Sequence, residues 1–423
     1  MLLFALSTAI LLTFTSGQTL GSEIDQKELV LIKDYKAFFL NTCDKLEKNV
    51  ALPNYLKGWK EKFQNKKKLH FINSNTNQEV EVNIVTRPPS RVTLRYTFYR
   101  KTKPELFLST SKKCNVGIAR LIRRDKNGIT YSISTLSKDL KIEKSIEAVN
   151  PAVPAIEPKN GVKVALIDTG INYLLPEITR NLARINPTQL LGYDFEDGDE
   201  LPFDIDFVGS PFFPRHHGTS VASVLIKEAP LVQIVPYRFP RKDPCLFKEI
   251  IADIAKLNIK VALMPMGSND SETWKCFYNA AKKHKGTLYI VSAGNGNLNI
   301  DTDKTFPASL PLKNMLVISS STIFGDLAKG SNFGKKNVDL IVNAEQVRVI
   351  DHRGVKSIAS GSSFAVPRIG AMVVRFLQHN PGASVEDIIR ILKRRAIPRE
   401  GNLIKFGWIP DPLDNYLFHI DSK

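Results

Sequence analysis

The chain has 423 residues, 43% of them hydrophobic and 24% charged, with a formal net charge of +17. That balance excludes a disordered or fibrous protein, and the length suits one large domain beside a smaller one. No nucleic-acid-binding motif accompanies the basic charge, so no nucleic-acid partner is expected and a solvated, lysine-rich surface is the simpler reading.

Residues 1–17, MLLFALSTAILLTFTSG, form an uncharged apolar run that ends in small residues. Thr15 and Gly17 fit the positions preceding a signal-peptidase cut, so a secretory signal over 1–17 is expected. The run is too short to span a bilayer, and no later segment stays apolar for long enough. A secreted or periplasmic monomer without stable membrane insertion is the expectation.

From 18 to 155 the sequence predicts a smaller, mixed α+β domain. Apolar residues recur at helical spacing in ELVLIKDYKAFFLNTCDKL, and a second helix is expected through YLKGWKEKF. Strand-like segments follow, EVEVNIV, RVTLRYTFY, ELFLST and GITYSIS, with DKNG as a turn signal. Residues 18–160 carry +12 of the net charge, densest in NKKK and RLIRR, a region that could dock on an acidic surface. The Pro-rich stretch PAVPAIEPKNG, 151–161, marks the boundary to a second domain over 156–423.

Cys43, Cys114, Cys245 and Cys276 are an even set in an exported chain, which permits two disulfides in any of three pairings. Two lie in each half, so Cys43–Cys114 and Cys245–Cys276 are expected, with free buried thiols as the alternative. None has metal-ligand or CxxC spacing.

Beyond the boundary, short apolar runs recur at VKVALI, VQIVPY, KVALMPMG, LYIVSAGN and MLVISSS. Helix-like segments lie between several of them: TSVASVLI, CLFKEIIADIAKL and WKCFYNAAKKH. Alternating strands and helices predict an α/β domain, a doubly wound parallel sheet covered on both faces. Reactive groups in such folds gather at the carboxyl ends of the strands, which places the DTG at Asp168 and the SAGN at Asn295 on one rim.

Taken singly, each polar residue there has an ordinary explanation. Asp168 and Asn295 suit tight turns, His217 an exposed loop, and Ser363 a helix start. Together they make a reaction centre. A serine hydroxyl needs a neighbouring base, and histidine titrates near neutrality. A carboxylate fixes the imidazole tautomer, and an Asn amide with a backbone N–H can hold an oxyanion.

VALIDTGI, HGTSVASV, YIVSAGNGN and SGSSFAVP, in that order, resemble the four motifs of the subtilisin-like serine proteases, the subtilases. FPASLPLKNMLVIS and GSNFGKKNVDLIVNAE match weaker stretches between them. The resemblance covers about 161–412 and implies a subtilisin-like fold in which Asp168 orients, His217 is the base, Ser363 the nucleophile and Asn295 an oxyanion donor. It also implies protein or peptide substrates, with no cofactor required for the chemistry.

Several departures stand out. Ser220 and Ser362 replace the family's usual His and Thr, and His216 is a rival base beside His217. Pro265, in ALMPMGS, stands where the family has Ser in the strand that pairs with substrate and walls the P1 pocket. The pocket segments are apolar, which predicts a hydrophobic P1 preference. Subtilases often bind structural calcium, but the acidic run DFEDGDELPFDID, 194–206, lacks a complete ligand pattern, so a solvated loop is expected. LKIEKSIEAVNP, 140–151, resembles a propeptide end. It implies either a cut in 150–161 that relieves intramolecular inhibition, or an N-terminal domain that stays attached as a docking module.

Two other readings compete. One is a catalytically silent subtilase fold that only binds. The other, an α/β-hydrolase esterase, lacks the required Gly-x-Ser-x-Gly elbow, and His379 and His419 sit in no matching motif.

Overall fold

The computed structural model describes residues 22–414 apart from 24–25, 48–54, 57, 66, 89–90, 400 and 402. The expected signal, 1–17, lies outside the described residues. The chain divides into two compact units between Val149 and Asn150.

In the first unit the alternation seen in the sequence becomes a ten-stranded antiparallel sheet. Strand Lys68–Asn73 shows why: every second side chain is buried. The helix Gln26–Glu47 covers that face, packing Tyr35, Phe38 and Phe39 against Phe71, Tyr96 and Phe98. Cys43 on the helix is bonded to Cys114 beside the sheet. The second helix expected over YLKGWKEKF does not form. Tyr55–Leu56 and Trp59–Gln64 are instead paired antiparallel strands at one end of the sheet, turned by Gly58 at φ 82°. Trp59 is the only buried residue of its strand, and Gly58, in the left-handed region, interrupts the helical spacing of the apolar residues. The arginines of RLIRR are committed within the unit: Arg120 meets Glu147 at 2.5 Å and Arg123 meets Glu143 at 2.7 Å.

The second unit is an eight-stranded, wholly parallel sheet. Its strands are β1 (Val162–Asp168), β2 (Tyr193–Asp194), β3 (Val232–Arg238), β4 (Val261–Met264), β5 (Leu288–Ser292), β6 (Met315–Ser321), β7 (Leu340–Asn343) and β10 (Gly407–Ile409). They lie in the order β2-β3-β1-β4-β5-β6-β7-β10. A separate hairpin, β8 (Val347–Ile350) and β9 (Lys356–Ala359), precedes the central helix.

Period-two alternation sends the strand side chains to two cores. Val164, Leu166, Leu263 and Ile290 meet α1 (Gly218–Glu228), α4 (Ser362–His379) and α5 (Val385–Arg395) on one face. Ala165, Ile167, Met264 and Val291 meet α2 (Phe247–Lys256) and α3 (Lys275–Lys283) on the other. Burial on both faces explains why these strands read as near-continuous apolar runs. Cys245 is bonded to Cys276, the second residue of α3.

The Pro-rich segment belongs to this unit because it is fastened there. Tyr173 donates its hydroxyl to Pro151 O at 2.6 Å, Arg184 donates to Pro154 O at 3.1 Å, and Ile156 N donates to Pro187 O at 2.9 Å.

Candidate active site

With all strands parallel, their carboxyl ends open on one rim. Asp168 is the last residue of β1, Pro265 follows β4, and Asn295 lies just beyond β5. His217 immediately precedes α1, and Ser363 is the second residue of α4.

Asp168 is buried and faces the imidazole squarely, with His217 Nδ1 at 2.9 Å from both carboxylate oxygens. Thr169 N donates to Asp168 Oδ1 at 2.7 Å, holding the carboxylate in place. Burial pulls the His217 pKa down, but the Asp168 charge and hydrogen bond, with Asp204 behind them, pull harder, so the net shift is upward.

Asp204 organises the start of α1. Its carboxylate accepts from His217 N at 3.1 Å, Thr219 N at 3.0 Å and Thr169 Oγ1 at 2.6 Å. Thr169 Oγ1 in turn accepts from His217 N at 3.1 Å and Gly218 N at 3.0 Å. These contacts satisfy two of the helix's free first-turn donors, Gly218 N and Thr219 N, and set the backbone from which His217 projects. Gly218 is required by closeness: a Cβ there would lie 2.0 Å from Gly170 O.

Ser363 Oγ donates to Pro265 O at 3.1 Å and makes no hydrogen bond to His217 among the described residues. The His217 ring is nevertheless adjacent to α4, its centroid 5.9 Å from that of Phe364. Pro265 costs the sheet nothing, since it falls past the last residue of β4. Asn295 Oδ1 accepts from Ser362 N and Ser362 Oγ, both at 2.9 Å, so its donor group is the amide Nδ2. Ser362 is itself buried and bonded to Ser292 Oγ at 2.7 Å, so serine serves where the family has threonine. The loop carrying Asn295 is shaped by Asn332, whose Oδ1 accepts from Gly296 N and Leu298 N at 2.8 and 2.9 Å while its Nδ2 donates to Ala293 O at 2.8 Å.

His216, the rival base, is directed elsewhere: its Nδ1 lies 2.5 Å from Asp204 O, and its ring stacks on His352 at 3.6 Å.

The model of the subtilase family matches residues 159–408. The chain belongs to the subtilase family. It is 25% identical over 269 residues to a thermophilic serine proteinase of Bacillus sp. (strain AK1), covering 59% of this chain and 60% of that protein. It is 31% identical over 160 residues to a subtilisin-like serine protease of Rhodotorula mucilaginosa, covering 37% and 45% of the two chains. This subtilase thus spans less than two thirds of the length of these relatives. Among solved structures it resembles a cold-adapted subtilisin-like serine proteinase at 23% identity, covering 65% of this chain and 94% of that one, with a TM-score of 0.49.

The four site residues read from the subtilase motifs lie on one rim, although Ser363 and His217 are not hydrogen-bonded. Sequence reasoning missed Asp204 and Asn332. Both fell in stretches noted for other reasons, the acidic run and the weaker GSNF match. The acidic run is not the solvated loop expected. Asp194, Asp204 and Asp206 are buried, with Arg238 on Asp194 at 2.7 Å and Arg241 on Asp206 at 2.7 Å. Arg238, which ends β3, and Arg241, just beyond it, neutralise Asp194 and Asp206, a pairing that the run alone does not reveal.

Removing the Asp204 carboxylate would orphan two donors, Thr219 N and Thr169 Oγ1, while His217 N would keep only its other acceptor, Thr169 Oγ1. Asp204→Ala is expected to destabilise this subtilase by about 2–3 kcal/mol. Chemical denaturation measures this, and an unchanged midpoint would show that water replaces the carboxylate.

Proposed function

We propose that this subtilase is an exported serine endopeptidase that cleaves peptide bonds through an acyl-enzyme. The observation that carries the proposal is the Asp168–His217 pairing beside the start of α4. Ser363 attacks the scissile carbonyl as His217 Nε2 takes its proton, and Asp168 stabilises the imidazolium. The oxyanion is received by Asn295 Nδ2 and by the Ser363 N–H, one of the first-turn donors of α4 that lack an intrahelical acceptor. His217 then protonates the leaving amine, and water repeats the sequence to release the acid.

For this to happen the Ser363 hydroxyl proton must leave Pro265 O and turn to His217. Catalytic hydrogen bonds often tighten only when substrate is bound. The Ser363–Pro265 bond favours one rival, a silent subtilase that binds without cutting. Labelling of the purified protein with a fluorophosphonate probe separates the two. Capture of label by the native protein but not by Ser363→Ala or His217→Ala is expected. A folded native protein that stays unlabelled, even after limited proteolysis before about residue 155, would establish the silent rival.

The segments at Met264–Ser268 and Val291–Asn295 offer no acidic side chain to a P1 residue, so hydrophobic P1 side chains are expected to dominate cleavage of a peptide library. Dominance of Lys or Arg at P1 would reject this.

Within the expected cleavage stretch 150–161, residues 157–160 are the proposed site of maturation. Of the segment proposed for cleavage, Pro151–Ile156 is fastened, whereas 157–160 is exposed and without regular structure. Cleavage there, removing everything from residue 18 to the cut as an intramolecular inhibitor, predicts a secreted form beginning at 158–161. Intact mass would instead give a chain starting near Gln18 if the N-terminal domain is retained.

A further inference from the structure

The far edge of the parallel sheet, at β10, carries a second feature that the reaction does not use. Gly325, at φ 84°, presses on Trp408: a Cβ there would lie 2.5 Å from the indole. The turn ahead of it is rigid. Thr322 N donates to Asp326 O at 2.8 Å, and Thr322 Oγ1 accepts from Phe324 N at 3.2 Å and Asp326 N at 3.3 Å. It holds out two apolar side chains, Ile323 at 63% exposure and Phe324 at 72%, the latter the most exposed large hydrophobic among the described residues.

Ile397, also exposed, exchanges two backbone hydrogen bonds with Trp408, at 2.8 and 2.9 Å. Residues directly opposed in an antiparallel pair project from the same face, so Ile397 joins the indole and the turn. Cations sit on the same aromatic rings. Arg399 lies 5.4 Å over Trp408, while Lys393 and Lys405 lie 4.3 and 5.0 Å over Phe406, the residue just before β10. Arg399 and Lys405 are paired with Asp326 and Asp339, whereas Lys393 lies near Asp339 without an ion-pair contact among the described residues.

We propose that this face docks the protein on an anionic lipid surface. Ile323, Phe324 and Ile397 enter the headgroup layer, and Lys393, with the basic charge around it, faces lipid phosphate. The shape favours a bilayer over a protein partner: two large side chains at the tip of a rigid turn protrude rather than line a groove. Apolar anchors beside basic residues are the combination that holds proteins at charged interfaces. No described helix is long and apolar enough to cross a membrane, so the attachment is peripheral.

Sedimentation of the purified full-length protein with vesicles tests this, using phosphatidylcholine alone or with about a third phosphatidylglycerol. Binding to the anionic vesicles only is expected, falling steeply at about 0.5 M salt, where screening is strong. The double variant Ile323→Ser/Phe324→Ser should lose about tenfold or more in affinity, and Lys393→Gln about threefold, at unchanged melting temperature. Absence of binding to anionic vesicles, or binding that survives the double substitution, would overturn the proposal.

Discussion

Ser363→Ala is expected to lower kcat/KM for peptide hydrolysis by about 10⁶-fold, the size found when subtilisin loses its serine. The alanine cannot be acylated, so only transition-state binding at the oxyanion site remains. His217→Ala should cost about as much, and the double variant scarcely more, because a nucleophile without its base and a base without its nucleophile fail at the same step. Stability should hardly change, since the one hydrogen bond lost, Ser363 Oγ to Pro265 O, lies at the rim and contributes about 1 kcal/mol. Steady-state kinetics on a peptide substrate measures this. Additive losses in the double variant would mean that the two residues act independently, contrary to the proposal.

Asp168→Asn is the second large effect, expected at about 10⁴-fold in kcat, as in serine proteases generally. The amide keeps the volume of the buried side chain and can still hydrogen-bond Nδ1, but offering N–H where the carboxylate accepted would select the wrong imidazole tautomer. A pH signature accompanies the loss. His217 must be neutral to accept the proton, and its pKa is raised by Asp168, so kcat/KM should rise with pH through a value above the ordinary imidazole range. Removing the Asp168 charge should move that limb to lower pH. The linked stability has the same origin: the raised folded-state pKa favours the native state below the ordinary histidine value, and that contribution fades as pH climbs through the folded one. An acid limb that stays in place in Asp168→Asn would show that Asp168 does not set the His217 titration.

Much of this was legible because the sequence pattern and the packing obey the same period. The runs ending at Asp168 and Ser292 are apolar but for Lys163 and their last residues, as expected of strands buried on both faces. YLKGWKEKF misled for the complementary reason: Tyr55, Leu56, Trp59 and Phe63 recur at helical spacing, yet Gly58 breaks the segment and neighbouring strands claim it. The site divided along similar lines. Asp168, His217, Asn295 and Ser363 each lie in a local motif, whereas Asp204 acts across 13 positions onto His217 N and Asn332 across 36 onto Gly296 N. Such contacts leave no trace in spacing, since only the fold brings their partners near.

The fastening of Pro151–Ile156 has a consequence for what cutting the chain achieves. A break at 157–160 severs the covalent link but leaves the upstream stub bonded to Tyr173, Arg184 and Pro187. The two fragments then form a complex whose lifetime is set by an off-rate rather than by a protease. Tethered ligands behave as if present at millimolar concentration, and that advantage vanishes at the moment of cleavage. Under the inhibition proposed above, activation would lag nicking, and dilution, not further proteolysis, would complete it.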